Sequence, residues 1–207
     1  MIAQVQTTQV YSPEEYLALE IISETRNEYI HGEIIPMARG MPNHNQIVLN
    51  IAGTLNFSLK RQPYRVFVVD QRLWIPQERS YTYPDVMVVS GDFILQEGRK
   101  DTITNPTLII EVLSKSTGKY DQTEKFTFYR SLPTFQEYLL VDQHHYSVQH
   151  YVKTGVKKWE FQEYDTLEEE IKFDTIPCTI ALADIYDKVD ITEPVLPENK
   201  VIPPTDA

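Results

Sequence analysis

Leu108-Ile109-Ile110-Glu111-Val112-Leu113 sets one carboxylate inside an apolar, β-branched run whose length fits a buried strand. Tyr83-Pro84-Asp85-Val86-Met87-Val88-Val89 repeats the arrangement with Asp85. An isolated carboxylate in such a strand costs roughly several kcal/mol unless it is protonated, paired or bound to a metal. Both acids therefore call for a cation. A third apolar run, Glu137–Asp142, follows a stretch from Lys119 to Ser131 that lacks Gly and Pro and carries Phe126, Tyr129 and Arg130 at helical offsets. Strand, helix, strand in that order, flanked by antiparallel pairs, implies a mixed sheet with helices packed on it.

Ser12-Pro13-Glu14-Glu15 has the form of a capping box with Pro at the first helical position, which predicts a helix to about Glu20. Two short strands are expected between Asn27 and Met37, joined at His31-Gly32, where Gly supplies positive φ. Ile47, Ile51, Leu55 and Leu59 recur at helical spacing, predicting a long helix from Asn43 to about Arg61 before Pro63. Strands follow at Arg65–Asp70 and Arg72–Ile75, and a late hairpin pairs Ser147–Val152 with Lys158–Tyr164 around Gly155. The expected class is α/β of the α+β kind, a central mixed sheet flanked by helices with additional antiparallel hairpins. Residues 10–188 form one domain in this reading, 1–9 a flexible N-terminus and 189–207 a Pro-rich disordered tail.

A net charge of −11 argues against a protein that coats nucleic acid nonspecifically, although Lys115, Lys119, Lys125 and Arg130 gather behind the Glu111 strand. The apolar stretches fall far short of the roughly 20 residues that span a bilayer, and the start has no signal-peptide pattern, so a cytoplasmic chain without membrane contact is expected. The single Cys178 excludes an internal disulfide and reads as a small core residue. His144, His145 and His150 show no ligand spacing with a carboxylate and read as loop and strand surface.

Side chains alternate along a strand, so Asp85 shares a face with Met87 and Val89, and Glu111 with Ile109 and Leu113. If the two strands are neighbours, a modest register brings both carboxylates together, where they would hold Mg²⁺ or Mn²⁺ with a backbone carbonyl and waters. Asp121, Lys125 and Tyr129 fall at i, i+4 and i+8 and form one helical stripe, from which Lys125 can point back at the strands. Two acids, a divalent ion and a lysine suit phosphodiester hydrolysis.

Pro84-Asp85, Glu111-Val112-Leu113-Ser114-Lys115-Ser116-Thr117, Asp121, Lys125 and Tyr129 together resemble the Uma family of restriction-endonuclease-like proteins, a branch of the PD-(D/E)XK nuclease superfamily. The likeness extends to Tyr11–Tyr16, to Glu28–Ile35 and to His44, and covers about residues 10 to 188. It implies the restriction-endonuclease-like sheet and a DNA endonuclease with Asp85 and Glu111 as metal ligands. The superfamily's lysine usually stands two residues after the acid, a position that Leu113 fills here. The resemblance implies a migrated lysine instead, Lys125. Lys115 stands where the family often has proline and, with Lys119, is a candidate for substrate phosphate. The superfamily's acid before the first core strand points to Glu28, in preference to Glu33, as a third carboxylate. For His44 two readings stay open, a local hydrogen bond at a helix start and a contact with water or phosphate.

Cutting both strands of a duplex asks for two active sites, so a homodimer is expected. Two other functions fit the same residues: a nucleic-acid-binding or regulatory module with little turnover, and a structural oligomer in which acids and lysines form an internal salt-bridge network.

Overall fold

The computed structural model describes residues 9–37, 40–114 and 118–191. Lys115 lies outside these, as do 1–8 and 192–207 of the expected termini; of Lys119 the backbone is described and the side chain is not.

Helix α1 (Pro13–Ile22) opens on the expected capping box: Ser12 Oγ accepts from the Glu15 amide and Glu15 Oε2 accepts from the Ser12 amide. Strands β1 (Asn27–Ile30) and β2 (Glu33–Pro36) turn through His31 and Gly32, at φ 49° and 97°; Gly is one of two residues in the left-handed region. Helix α2 (Pro42–Ser58) precedes β3 (Tyr64–Val68), β4 (Arg72–Ile75), β5 (Ser80–Thr82), β6 (Val86–Ser90), β7 (Thr102–Ile103) and β8 (Leu108–Leu113). A composite helix then runs through α3 (Gly118–Tyr120), a π turn at Asp121–Lys125 and α4 (Phe126–Tyr129). Strands β9 (Glu137–Asp142), β10 (Val148–Gly155), β11 (Lys158–Tyr164), β12 (Glu170–Lys172) and β13 (Thr179–Ala181) and helix α5 (Leu182–Ile185) complete the chain.

Six strands form the central sheet in the order β11-β10-β9-β8-β6-β3, mixed because β8 and β9 run parallel while the other pairs are antiparallel. The composite helix is the crossover that this parallel pair requires. A second sheet, β2-β1-β5-β4-β7, packs over one face. Alternation assigns the faces: Val86, Val88, Ile110 and Val112 meet Ile47, Ile51 and Leu55 of α2, whereas Met87, Val89, Ile109 and Leu113 meet Leu73 and Ile75 of the second sheet and Tyr129 of α4. Cys178 is buried in the first of these cores.

Four local expectations are corrected. Asp85 is a bend residue just before β6, since Pro84 supplies no amide to a ladder. Strand β3 stops at Val68 because Val69 turns left-handed at φ 40°. Gly155 is the last residue of β10, and the turn is Val156-Lys157. His150, read as surface, is buried: its Nε2 lies 2.6 Å from Glu137 Oε1 on the neighbouring strand.

Glu137 also accepts from the amides of Asp174 and Thr175, each at 3.0 Å, and from the Thr175 hydroxyl, fastening the segment before β13 to the central sheet. Burial alone would raise its pKa, but His150, Thr175 and the Asp174 amide outweigh that and hold it below the ordinary carboxylate range. The stabilisation from this shift is therefore present above the unfolded value of about pH 4.3 and is lost as pH falls through the lower folded value. Glu137→Gln is expected to cost about 2–3 kcal/mol at pH 7, with the deficit shrinking below pH 4 in chemical unfolding curves.

Candidate active site

The β6–β8 register pairs Val86 with Ile110, so Asp85 arrives beside Glu111. The Asp85 amide lies 3.3 Å from Glu111 Oε2, and Asp85 Oδ2 accepts from the Val112 amide at 2.8 Å. Both acids thus sit at one end of the sheet, each tied to the other's strand.

The crossover helix brings its stripe down on them. Lys125 Nζ stands 3.1 Å from Glu28 Oε1, 3.1 Å from Asp121 Oδ1 and 3.4 Å from Glu111 Oε1. Tyr129 donates its hydroxyl to Glu111 Oε1 at 2.7 Å. A π turn carries Asp121 and Lys125 into the interior, a departure from regular helix that recurs at functional sites. Lys125 is 7% exposed, too buried to be half of a surface pair with Asp121. From the opposite side, the first turn of α2 sets His44 Nε2 at 3.2 Å from Asp85 Oδ2. The structure therefore gathers Asp85, Glu111, Lys125, Glu28, Asp121, Tyr129 and His44 at one place. Glu33 is exposed on β2 and takes no part.

Four carboxylates around one lysine and one histidine leave a surplus of negative charge in a confined space. Burial pushes the Glu111 carboxyl up, Lys125 pulls it down and Asp85 and Asp121 push it up again, which together leave it raised to about 8. Burial opposes the charge on Lys125 too, but Glu111 and Glu28 more than compensate, and its pKa stands well above that of an ordinary lysine. The ammonium is charged, and Glu111 answers the surplus by resisting ionisation. Desolvation acts against a protonated His44, yet its hydrogen bond to Asp85 and that carboxylate's charge raise its pKa.

His44 Nδ1 and Tyr120 Oη are buried here without a hydrogen-bond partner, while Glu28 Oε1 and Asp121 Oδ1 have the Lys125 ammonium at 3.1 Å but no hydrogen bond. Buried polar groups are nearly always satisfied, so the cluster has the character of a place for water or an ion. Its donors are hard oxygens with excess negative charge, the chemistry of Mg²⁺ or Mn²⁺. Among the described residues, no three His, Cys, Asp or Glu side chains converge as a ready ligand set. Asp85 and Glu111 are the two acids that would hold such an ion, and Mg²⁺ ordinarily keeps several waters.

Sequence reasoning missed the polar layer behind Asp85. Tyr83 donates to Glu20 Oε1 at 3.1 Å and accepts from Arg72 Nε at 2.8 Å, and the Tyr120 ring lies 5.7 Å from Lys125 Nζ. The period-two spacing of Tyr81, Tyr83 and Asp85 was the available signal, since it places three polar tips on one side of an extended segment.

A family model described as "Putative restriction endonuclease", Uma2, matches residues 13–183. The chain belongs to the Uma2 family. Two Synechocystis sp. proteins called uncharacterized are similar to it: sll1609, 42% identical over 82% of this chain and 96% of its own length, and slr1290, 32% identical over 84% and 90%. A crystal structure from Anabaena variabilis, titled as a putative nuclease belonging to DUF820, superposes with a TM-score of 0.68. Its identity is 20%, over 84% of this chain and 97% of that one, a likeness that shows the shared fold. No helix among the described residues is long and apolar enough to cross a membrane.

Proposed function

We propose that this Uma2 chain is a Mg²⁺- or Mn²⁺-dependent endonuclease that hydrolyses phosphodiester bonds in DNA, acting as a homodimer when both strands are cut. The observation that carries the reading is that Lys125, from a helix that follows both acids in sequence, reaches Glu111, whose carboxylate lies against the Asp85 amide. Asp85 and Glu111 would hold the cation, which when bound polarises a phosphate and lowers the pKa of water. Lys125 supplies a fixed positive charge to orient the attacking water and offset charge that develops on the phosphate. Tyr129 holds Glu111 by its hydroxyl, and His44 holds Asp85. Lys115 and Lys119 follow β8 in sequence and would contact substrate phosphate.

Supercoiled plasmid incubated with the purified protein is expected to be nicked in Mg²⁺ or Mn²⁺ and left intact in EDTA. Binding without nicking in either metal would instead favour a module that keeps the fold without turnover. His44→Ala is expected to slow nicking by about 10²-fold through a misplaced Asp85 while melting changes little, because Asp85 Oδ2 keeps its hydrogen bond from the Val112 amide.

A further inference from the structure

An unusual distribution of charge marks a second surface. The chain has 30 acidic residues, yet none lies between Glu33 and Asp70, a span that includes all of α2 and β3. The outward stripe of α2 is Asn45, Leu49, Gly53 and Asn56, continued past the helix end by Lys60, all exposed and spaced by three or four residues. It ends at a cleft between the helix terminus and edge strand β3, lined by Asn56, Phe57, Lys60, Arg61 and Tyr64. Arg61 sits in the left-handed region at φ 65°, and Arg65 follows on β3 with its guanidinium 4.7 Å from the Phe93 ring centre. Among the described residues Lys60, Arg61 and Arg65 make no ion pair. Three cations without an ion pair, on a stretch of sequence that carries no acid in a chain with net charge −11, are complementary to an anionic partner.

The same corner is tied to the site by β3. That strand runs from Tyr64 beside the cleft to Val68, and the Val69 amide donates to the Asp85 carbonyl at 3.1 Å. Five residues at about 3.3 Å each separate the two by about 17 Å. A DNA strand presents one phosphate per roughly 3.4 Å of axis, so the corner lies about five base steps from the acids. We propose that this corner holds the phosphate backbone of duplex DNA, with Lys60 and Arg61 neutralising phosphates and Asn56 and Tyr64 donating hydrogen bonds beside them. It rests on the phosphodiester reading above and adds where the duplex lies.

The test is anisotropy of a fluorescein-labelled duplex of about 20 base pairs in Ca²⁺ buffer, titrated at several salt concentrations between about 50 and 200 mM. The variant is Lys60→Gln with Arg61→Asn, Asn being chosen because it tolerates the left-handed backbone; Lys157→Gln on the exposed hairpin turn is the control. Expected are a loss of affinity of about tenfold or more in the double variant, a salt dependence shallower by about two counterions, and unchanged melting. Equal affinity and slope in the variant and wild type, with wild type still binding and nicking, would overturn the corner and leave the nuclease reading standing. Unchanged affinity with a dimer converted to monomer in sedimentation would reassign the surface, with its exposed Leu49 and Phe57, to contact between copies. Wild type that binds no duplex at 50 mM salt would remove the corner and the nuclease reading together.

Discussion

Lys125→Met is expected to lower the melting temperature by about 10 °C at pH 7 and to abolish cleavage. The substitution keeps most of the side-chain volume but leaves Glu28, Glu111 and Asp121 facing one another without the ammonium that each approaches within 3.4 Å. Breaking a buried ion pair from one side costs about 3–5 kcal/mol, and about 2–4 °C per kcal/mol applies to a chain of this size. Without Lys125, which lowers it, the Glu111 carboxyl that burial already raises stands higher still, so the variant's stability is greatest below about pH 4 and falls as pH rises through the higher folded value. The gap to wild type should accordingly close in acid, a signature that loss of packing alone does not give. A lysine paired only with Asp121 on a helix surface would be worth about 0.3–0.5 kcal/mol and would move neither readout.

Glu111→Gln has the opposite profile. The amide fills the same space as a carboxyl that burial already keeps from ionising, so the metal-free protein should melt no lower than wild type. Cleavage should nevertheless fall by about 10³-fold or more, since a neutral amide no longer helps hold a divalent ion. Stability up with activity down separates a site acid from a structural one; a variant that melts many degrees lower and still nicks plasmid would make Glu111 part of a salt-bridge scaffold.

How much of this was legible depends on length scale. Glu111 was readable because five apolar residues around one acid leave a buried strand as the economical arrangement, and Lys125 because a stretch without Gly or Pro fixes Asp121, Lys125 and Tyr129 on one stripe. The π turn was not, since its register differs from a regular helix by one residue and no side-chain pattern marks it. Strands β5, β7, β12 and β13 span two or three residues each and carry no usable period. His150 looked like any polar residue of an alternating strand; what surrounds it is Glu137 on the adjacent strand and the rings of Tyr164 and Phe173, which come from later in the chain. Glu28 was suggested by resemblance, and the His44 contact with Asp85 joins residues 41 positions apart that no local pattern connects. Contacts of that kind arise from tertiary packing, and only the folded chain displays them.

The central claim is that Asp85 and Glu111 form a divalent-metal site, and calorimetric titration of Mn²⁺ into the metal-free protein tests it most directly. Wild type should give a saturable binding heat that Asp85→Asn loses while its circular dichroism stays native. A wild type that takes up no Mn²⁺ at millimolar concentration, or an Asp85→Asn variant that binds it as well as wild type, would contradict the claim.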